Sequence, residues 1–121
     1  MNLLDELVLA GLPLPVEEWK FAATIKRKWA FDYAWPDQLI ALEVEGGIWM
    51  DGRHVRGSGF MGDMEKYNCA ALFGWRLIRV TPPSIENGHA FRLVSAALLG
   101  NNPTAEMFPI KLKKGKKKVK K

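Results

Sequence analysis

The chain has 121 residues, 48% apolar and 26% charged, which is one domain by length and excludes a wholly disordered chain by composition. Its net charge of +5 is uneven: residues 111–121 hold eight lysines and no acid, leaving ten Lys and Arg against thirteen Asp and Glu elsewhere, so the basic character belongs to the tail. A single cysteine, Cys69, excludes an internal disulfide, and without a secretory-type start or an apolar run of about 20 residues a cytoplasmic protein with no membrane contact is expected.

Leu3, Leu4, Leu7 and Val8 recur at helical spacing, with Asn2 placed as a cap and Gly11 and Pro13 as the stop, which predicts a helix over 2–10. Trp19, Phe21 and Ala23 alternate with Glu18, Lys20 and Ala22, which predicts a strand over 17–25. Residues 28–35 and 39–45 are rich in aromatic and branched side chains and flank Pro36-Asp37-Gln38, the pattern of a hairpin. The Gly-rich stretch 46–60 reads as a long loop, and loops of that length are usually functional or disordered.

A helix is expected over 61–73 with Gly74 just past its end, and Met61, Met64, Tyr67 and Ala71 on it read as packing. Residues 76–80 read as a short buried strand broken by Pro82-Pro83, with Arg76 and Arg79 reaching solvent or DNA. A last helix is expected over 89–99, ended by Gly100. The expected order is αβββαβα. This is an α/β (α+β) fold with a central mixed sheet flanked by helices, residues 1–100 forming the domain and 101–121 a disordered Lys-rich tail.

The hairpin carries the chemistry. A tight turn at 36–39 pairs residues whose numbers sum to 75, so Asp32 faces Glu43, Ala34 faces Ala41 and Ala30 faces Glu45. Alternation puts these on one face and Phe31, Tyr33, Trp35, Ile40, Leu42 and Val44 on the other. Opposed like charges destabilise a strand pair and resist joint ionisation. Within the strands only Lys28 lies near to offset them, so a hard divalent cation such as Mg²⁺ or Mn²⁺ above the alanine floor would resolve the repulsion. The competing reading is the wet face of a half-buried sheet.

Phe31-Asp32-Tyr33, followed after ten residues by Glu43-Val44-Glu45-Gly46, resembles the signature of the PD-(D/E)xK nuclease superfamily. The chain is most similar within it to very-short-patch-repair-type endonucleases and their phage and bacterial relatives, through Asp63-Met64-Glu65-Lys66 and Gly74-Trp75-Arg76-Leu77-Ile78-Arg79. The resemblance covers about residues 1–99. It implies a restriction-endonuclease-like core and a Mg²⁺- or Mn²⁺-dependent DNA endonuclease in a bacterial or phage-infected cell. Junction, branch or nicking substrates and a homodimer come with it. Asp32 and Glu43 would be metal ligands, and Glu45, standing where the motif has lysine, would hold a second ion or a water. Lys66 is the candidate to replace that lysine, against a same-helix ion pair with Asp63. Glu6 would be a further metal-site acid, with Glu17 and Glu18 competing for the place.

For DNA contact the candidates are Arg53, His54, Arg56 and Ser58 in the Gly-rich stretch, with His54 also a candidate proton donor to the leaving oxygen. Trp49 is either a wedge between bases or core cover. Lys113, Lys114, Lys116 and Lys117 in the tail would add salt-sensitive affinity. A non-catalytic DNA-binding protein that keeps the nuclease fold is the alternative, and RNA contains the same type of bond.

Overall fold

The computed structural model describes residues 2–46 and 61–108, and at 49–50, 53–54 and 58–60 the course of the backbone. Helix α1 (Leu3–Ala10) is capped as the sequence suggests. The Asn2 side chain accepts from the Asp5 N–H, and Gly11, at φ 72°, closes the helix in the left-handed region. Strand β1 (Val16–Lys20) is shorter than the alternation predicted. Phe21 and Ala22 turn into the core and a 3-10 turn follows at Ala23–Ile25, ended by Lys26 at φ 61°. The burial of Phe21 outweighs extension of an edge strand that is exposed throughout.

Strands β2 (Ala30–Trp35) and β3 (Ile40–Val44) form the expected hairpin, joined through a 3-10 turn at Pro36–Gln38 and Leu39 at φ 56°. Its pairs Tyr33–Leu42, Ala34–Ala41 and Trp35–Ile40 obey the arithmetic of the tight turn. The stretch expected to be a loop contains a two-stranded hairpin, β4 (Trp49–Met50) and β5 (Arg53–His54). Helix α2 (Ser58–Leu72) begins earlier than the expected 61. After β6 (Arg76–Val80), Pro82 starts the short helix α3 (Pro82–Glu86) instead of merely breaking the strand, since proline is tolerated in a first turn whose N–H groups lack helical partners. Helix α4 (His89–Leu99) ends at Gly100.

The main sheet has four strands in the order β1-β2-β3-β6, antiparallel except for the parallel pair β3–β6. The fold is therefore mixed α/β around a mixed sheet. A parallel pair cannot be joined by a hairpin and needs a crossover, and α2 lies in the connection between β3 and β6. One face of the sheet packs Trp35, Ile40, Leu42 and Val80 against Leu3 and Leu7 of α1 and Ala90 and Val94 of α4. The other packs Phe31, Ala34 and Ala41 against Ala70 of α2, with Phe21 and Trp75.

Phe31 departs from the expected face. Its ring stacks on Phe21 at 4.1 Å and meets Trp75 edge-on at 4.9 Å. It thus joins Ala34 and Ala41, not Tyr33 and Trp35. The break in alternation falls at Asp32. Beside it the β1–β2 pairing runs 16–34, 17–33, 19–31 and 20–30, and Glu18 takes a left-handed φ of 52°.

Residues 101–108, assigned to the tail from sequence, pack onto the domain. His89 Nε2 lies 2.8 Å from the Met107 carbonyl oxygen, and Asn101, Pro103, Met107 and Phe108 line a groove with β6 and α4. No helix among the described residues is long and apolar enough to cross a membrane.

Candidate active site

Asp32 and Glu43 lock the two central strands together just beyond the last ladder pair. The Asp32 N–H donates to Glu43 Oε2 at 3.1 Å, and the Val44 N–H donates to Asp32 Oδ2 at 2.7 Å. The β2–β3 ladder ends at Tyr33–Leu42, and beyond it these two backbone-to-carboxylate bonds join the strands. The predicted opposition of Asp32 and Glu43 takes this interlocked form. The pair Ala30–Glu45 is not part of the ladder.

Glu43 does not stand on a wet face with room above an alanine floor, while Asp32 and Glu45 are half-buried. Ala34, Ala41 and Ala70 are fully or nearly fully buried, and Glu43 is only 7% exposed. The small side chains let α2 approach the sheet closely. From α2, Lys66 Nζ reaches Glu43 Oε1 at 3.2 Å, with both side chains largely buried. Lys66 therefore pairs across to the sheet, not with Asp63 on its own helix. Burial pushes the Glu43 carboxyl above its ordinary range, against the pull of the Lys66 ammonium.

Glu45 is held by residues of β6 and α2. Its Oε2 accepts from Arg79 Nε at 2.7 Å and from the Tyr67 hydroxyl at 3.2 Å. Arg79 is brought there by register: β3 and β6 are parallel with Glu43 beside Arg79, and Glu45 lies two residues on. The Arg79 guanidinium also sits 4.4 Å above the Tyr67 ring. Burial, followed by the nearby Glu43 and Glu45 carboxylates, raises the Tyr67 phenol well above its ordinary value, so it is a donor at any physiological pH. Its oxygen is 3.4 Å from Glu43 Oε1 as well.

These contacts change the electrostatic inference drawn from the hairpin. The cations that offset the acids come from α2 and β6, as Lys66 and Arg79, so the repulsion does not by itself demand a metal. Among the described residues no three Asp, Glu, His or Cys side chains converge as a metal-holding group. The expected set of Asp32, Glu43, Glu45 and Glu6 is not assembled. Glu45 is turned to Arg79, and Glu6 lies against Gly88 at the start of α4 with its buried Oε1 without a hydrogen-bond partner among the described residues. Glu17 and Glu18, its competitors, do share a cleft of about 400 Å³ with Asp32, Tyr33 and Glu86.

Two site residues were missed. Tyr67 was read as packing together with Met61, Met64 and Ala71, yet those three are exposed while Tyr67 turns in to the acids. Arg79 is half exposed, so it does reach solvent as expected, but it also binds Glu45. The two-residue step from Glu43 to Glu45 beside an arginine on a parallel strand is a signal only once the crossover is known. Trp49, Arg53 and His54 lie by backbone in the small hairpin, pairing Trp49 with His54, and Ser58 opens α2. Arg56, Lys113, Lys114, Lys116 and Lys117 lie outside the described residues. Comparison with known protein families, with characterised proteins and with solved structures finds no match.

Proposed function

We propose that this chain is a divalent-metal-dependent endonuclease that hydrolyses phosphodiester bonds in DNA, with junctions, branches or nick sites as its substrates. The observation that carries the reading is the interlocked pair of Asp32 and Glu43 with Lys66 at 3.2 Å from Glu43. Two acids from adjacent strands and a lysine from the covering helix form the set that the PD-(D/E)xK resemblance calls for, with the lysine arriving from α2. The restriction-endonuclease-like core belongs to the same reading, supported by the mixed sheet and its crossover helix. So does a homodimer.

Asp32 and Glu43 suit Mg²⁺ or Mn²⁺ by donor chemistry, because Mg²⁺ is commonly held by one or two carboxylates with waters and substrate phosphate completing its shell. Bound there, the ion would stabilise charge developing on the phosphate and lower the pKa of water. The chain's own part is preorganisation. Two backbone N–H groups hold one oxygen of each acid, so neither carboxylate must be ordered when substrate arrives. The Lys66 ammonium, beside Glu43, orients the attacking water and meets the scissile phosphate. Arg53, His54 and the lysine tail supply the phosphate contacts.

The test is cleavage of a supercoiled plasmid and a synthetic four-way junction with and without Mg²⁺ or Mn²⁺, wild type beside Asp32→Ala. Metal-dependent cutting that disappears in Asp32→Ala is expected, and cutting that persists would remove the assignment. The second reading, a non-catalytic DNA-binding protein, is favoured by one observation: Glu45 stands where the motif lysine belongs and is already neutralised by Arg79. Binding without cutting in either metal would select it. Cutting of RNA alone would move the substrate and leave the site unchanged.

A further inference from the structure

We propose that Glu45 is an anchor for Arg79 and Tyr67, not a metal ligand, and that Tyr67 is a positioning residue transmitting this anchor to Glu43; the inference rests on the nuclease reading above. A phenol has one proton to donate, and the Tyr67 hydroxyl lies between two acceptors. It is 3.2 Å from Glu45 Oε2 and 3.4 Å from Glu43 Oε1. The nearer acceptor is itself pinned by the 2.7 Å bond from Arg79 Nε. The same guanidinium covers the Tyr67 ring at 4.4 Å. Arg79 thus restrains the tyrosine twice, through the shared carboxylate and through the ring face.

The consequence falls on Glu43 Oε1. That oxygen is bounded by Lys66 Nζ on one side and the tyrosine oxygen on the other, while Oε2 is tied to the Asp32 N–H. Three contacts therefore bound the Glu43 carboxylate, and two of them, the Asp32 N–H and the Tyr67 hydroxyl, come from groups that would not touch substrate. Partners of this kind, which orient a ligating carboxylate, change metal affinity or activity by about 10–100-fold when removed. Both contacts of Glu45 fall on Oε2, so a cation at this carboxylate would be left Oε1 alone and would sit beside the Arg79 charge that already neutralises the group.

The experiment measures Mn²⁺ binding by electron paramagnetic resonance, and kcat and KM for plasmid nicking, on the full chain. The variants are Asp32→Ala, Glu45→Gln, Tyr67→Phe and Arg79→Lys. Glu45→Gln keeps an acceptor for Tyr67 and Arg79, so Mn²⁺ binding within a few-fold of wild type is expected, against its loss in Asp32→Ala. Tyr67→Phe keeps the ring under Arg79 and removes the hydroxyl. About tenfold weaker Mn²⁺ binding and a kcat lowered about tenfold are expected, with KM for DNA unchanged. Should Tyr67→Phe fail to fold, Arg79→Lys is read by the same two measurements. Loss of Mn²⁺ in Glu45→Gln as complete as in Asp32→Ala overturns the proposal, as does a Tyr67→Phe indistinguishable from an active wild type. Either result leaves the nuclease reading standing. A wild type that neither binds Mn²⁺ nor nicks removes both.

Discussion

Replacing Lys66 by methionine isolates the pairing at the centre of the site, because methionine keeps an unbranched side chain of similar length and removes the charge. At 3.2 Å two unit charges attract by about 5 kcal/mol at an effective dielectric of ~20. Proton uptake caps the loss. A carboxyl with the ordinary value of 4.5 can be neutralised at pH 7 for about 3.4 kcal/mol, at ~1.36 kcal/mol per pKa unit. Glu43 starts above that ordinary value because it is buried, so the cap is lower, and Lys66→Met should cost about 2–3 kcal/mol at pH 7. For a domain of this size that is a fall in Tm of roughly 10–20 °C. The sign with pH is fixed. A raised folded pKa means that stability is retained below about 4.5 and lost as pH rises through the folded value. The difference in Tm between variant and wild type should therefore nearly vanish at pH 4 and open towards pH 7. Thermal unfolding followed by circular dichroism at the two pH values reads it directly. A difference of equal size at both, or none at pH 7, would refute the burial and pairing assigned to Glu43.

Three further outcomes are expected. Glu43→Gln removes the group whose ionisation burial opposes, so the variant should gain Tm relative to wild type as pH rises from 4 to 8; a gain that is flat or reversed with pH would contradict the raised carboxyl. Ala70→Leu puts three extra carbons where α2 meets Ala34 and Ala41, all nearly inaccessible, and should cost about 1–3 kcal/mol by denaturant unfolding; an unchanged midpoint would mean the helix stands off the sheet. Truncation to residues 1–110 should flatten the dependence of DNA affinity on salt, since each phosphate-contacting lysine adds about 0.9 to the slope on duplex DNA. Equal slopes would exclude the tail as a DNA contact.

What the sequence determined by itself was local. The periodicity of residues 3–8, the Asn2 cap and the Gly11 and Gly100 stops define helix ends through short-range hydrogen bonds and one backbone conformation. The tight turn at 36–39 fixes the hairpin register, and with it the closeness of Asp32 and Glu43, because strand pairing across a short turn leaves no other alignment. Local pattern also misled. Alternation carried the first strand past Lys20 and put Phe31 beside Tyr33, where burial of Phe21 and the break at Asp32 prevailed.

Only the tertiary structure decided what meets the acids. The parallel pairing of β3 with β6 requires a crossover, and the crossover lays α2 on the acid face. From that one long-range fact follow Lys66 against Glu43, Arg79 beside Glu45 and Tyr67 between the two. Nothing in a strand's own residues specifies which helix covers it or which strand lies next to it, because those contacts are set by packing across the whole core. The carboxylates were therefore legible in the sequence and Lys66 was a candidate through the resemblance, but its pairing with Glu43 and the placing of Arg79 beside Glu45 were not.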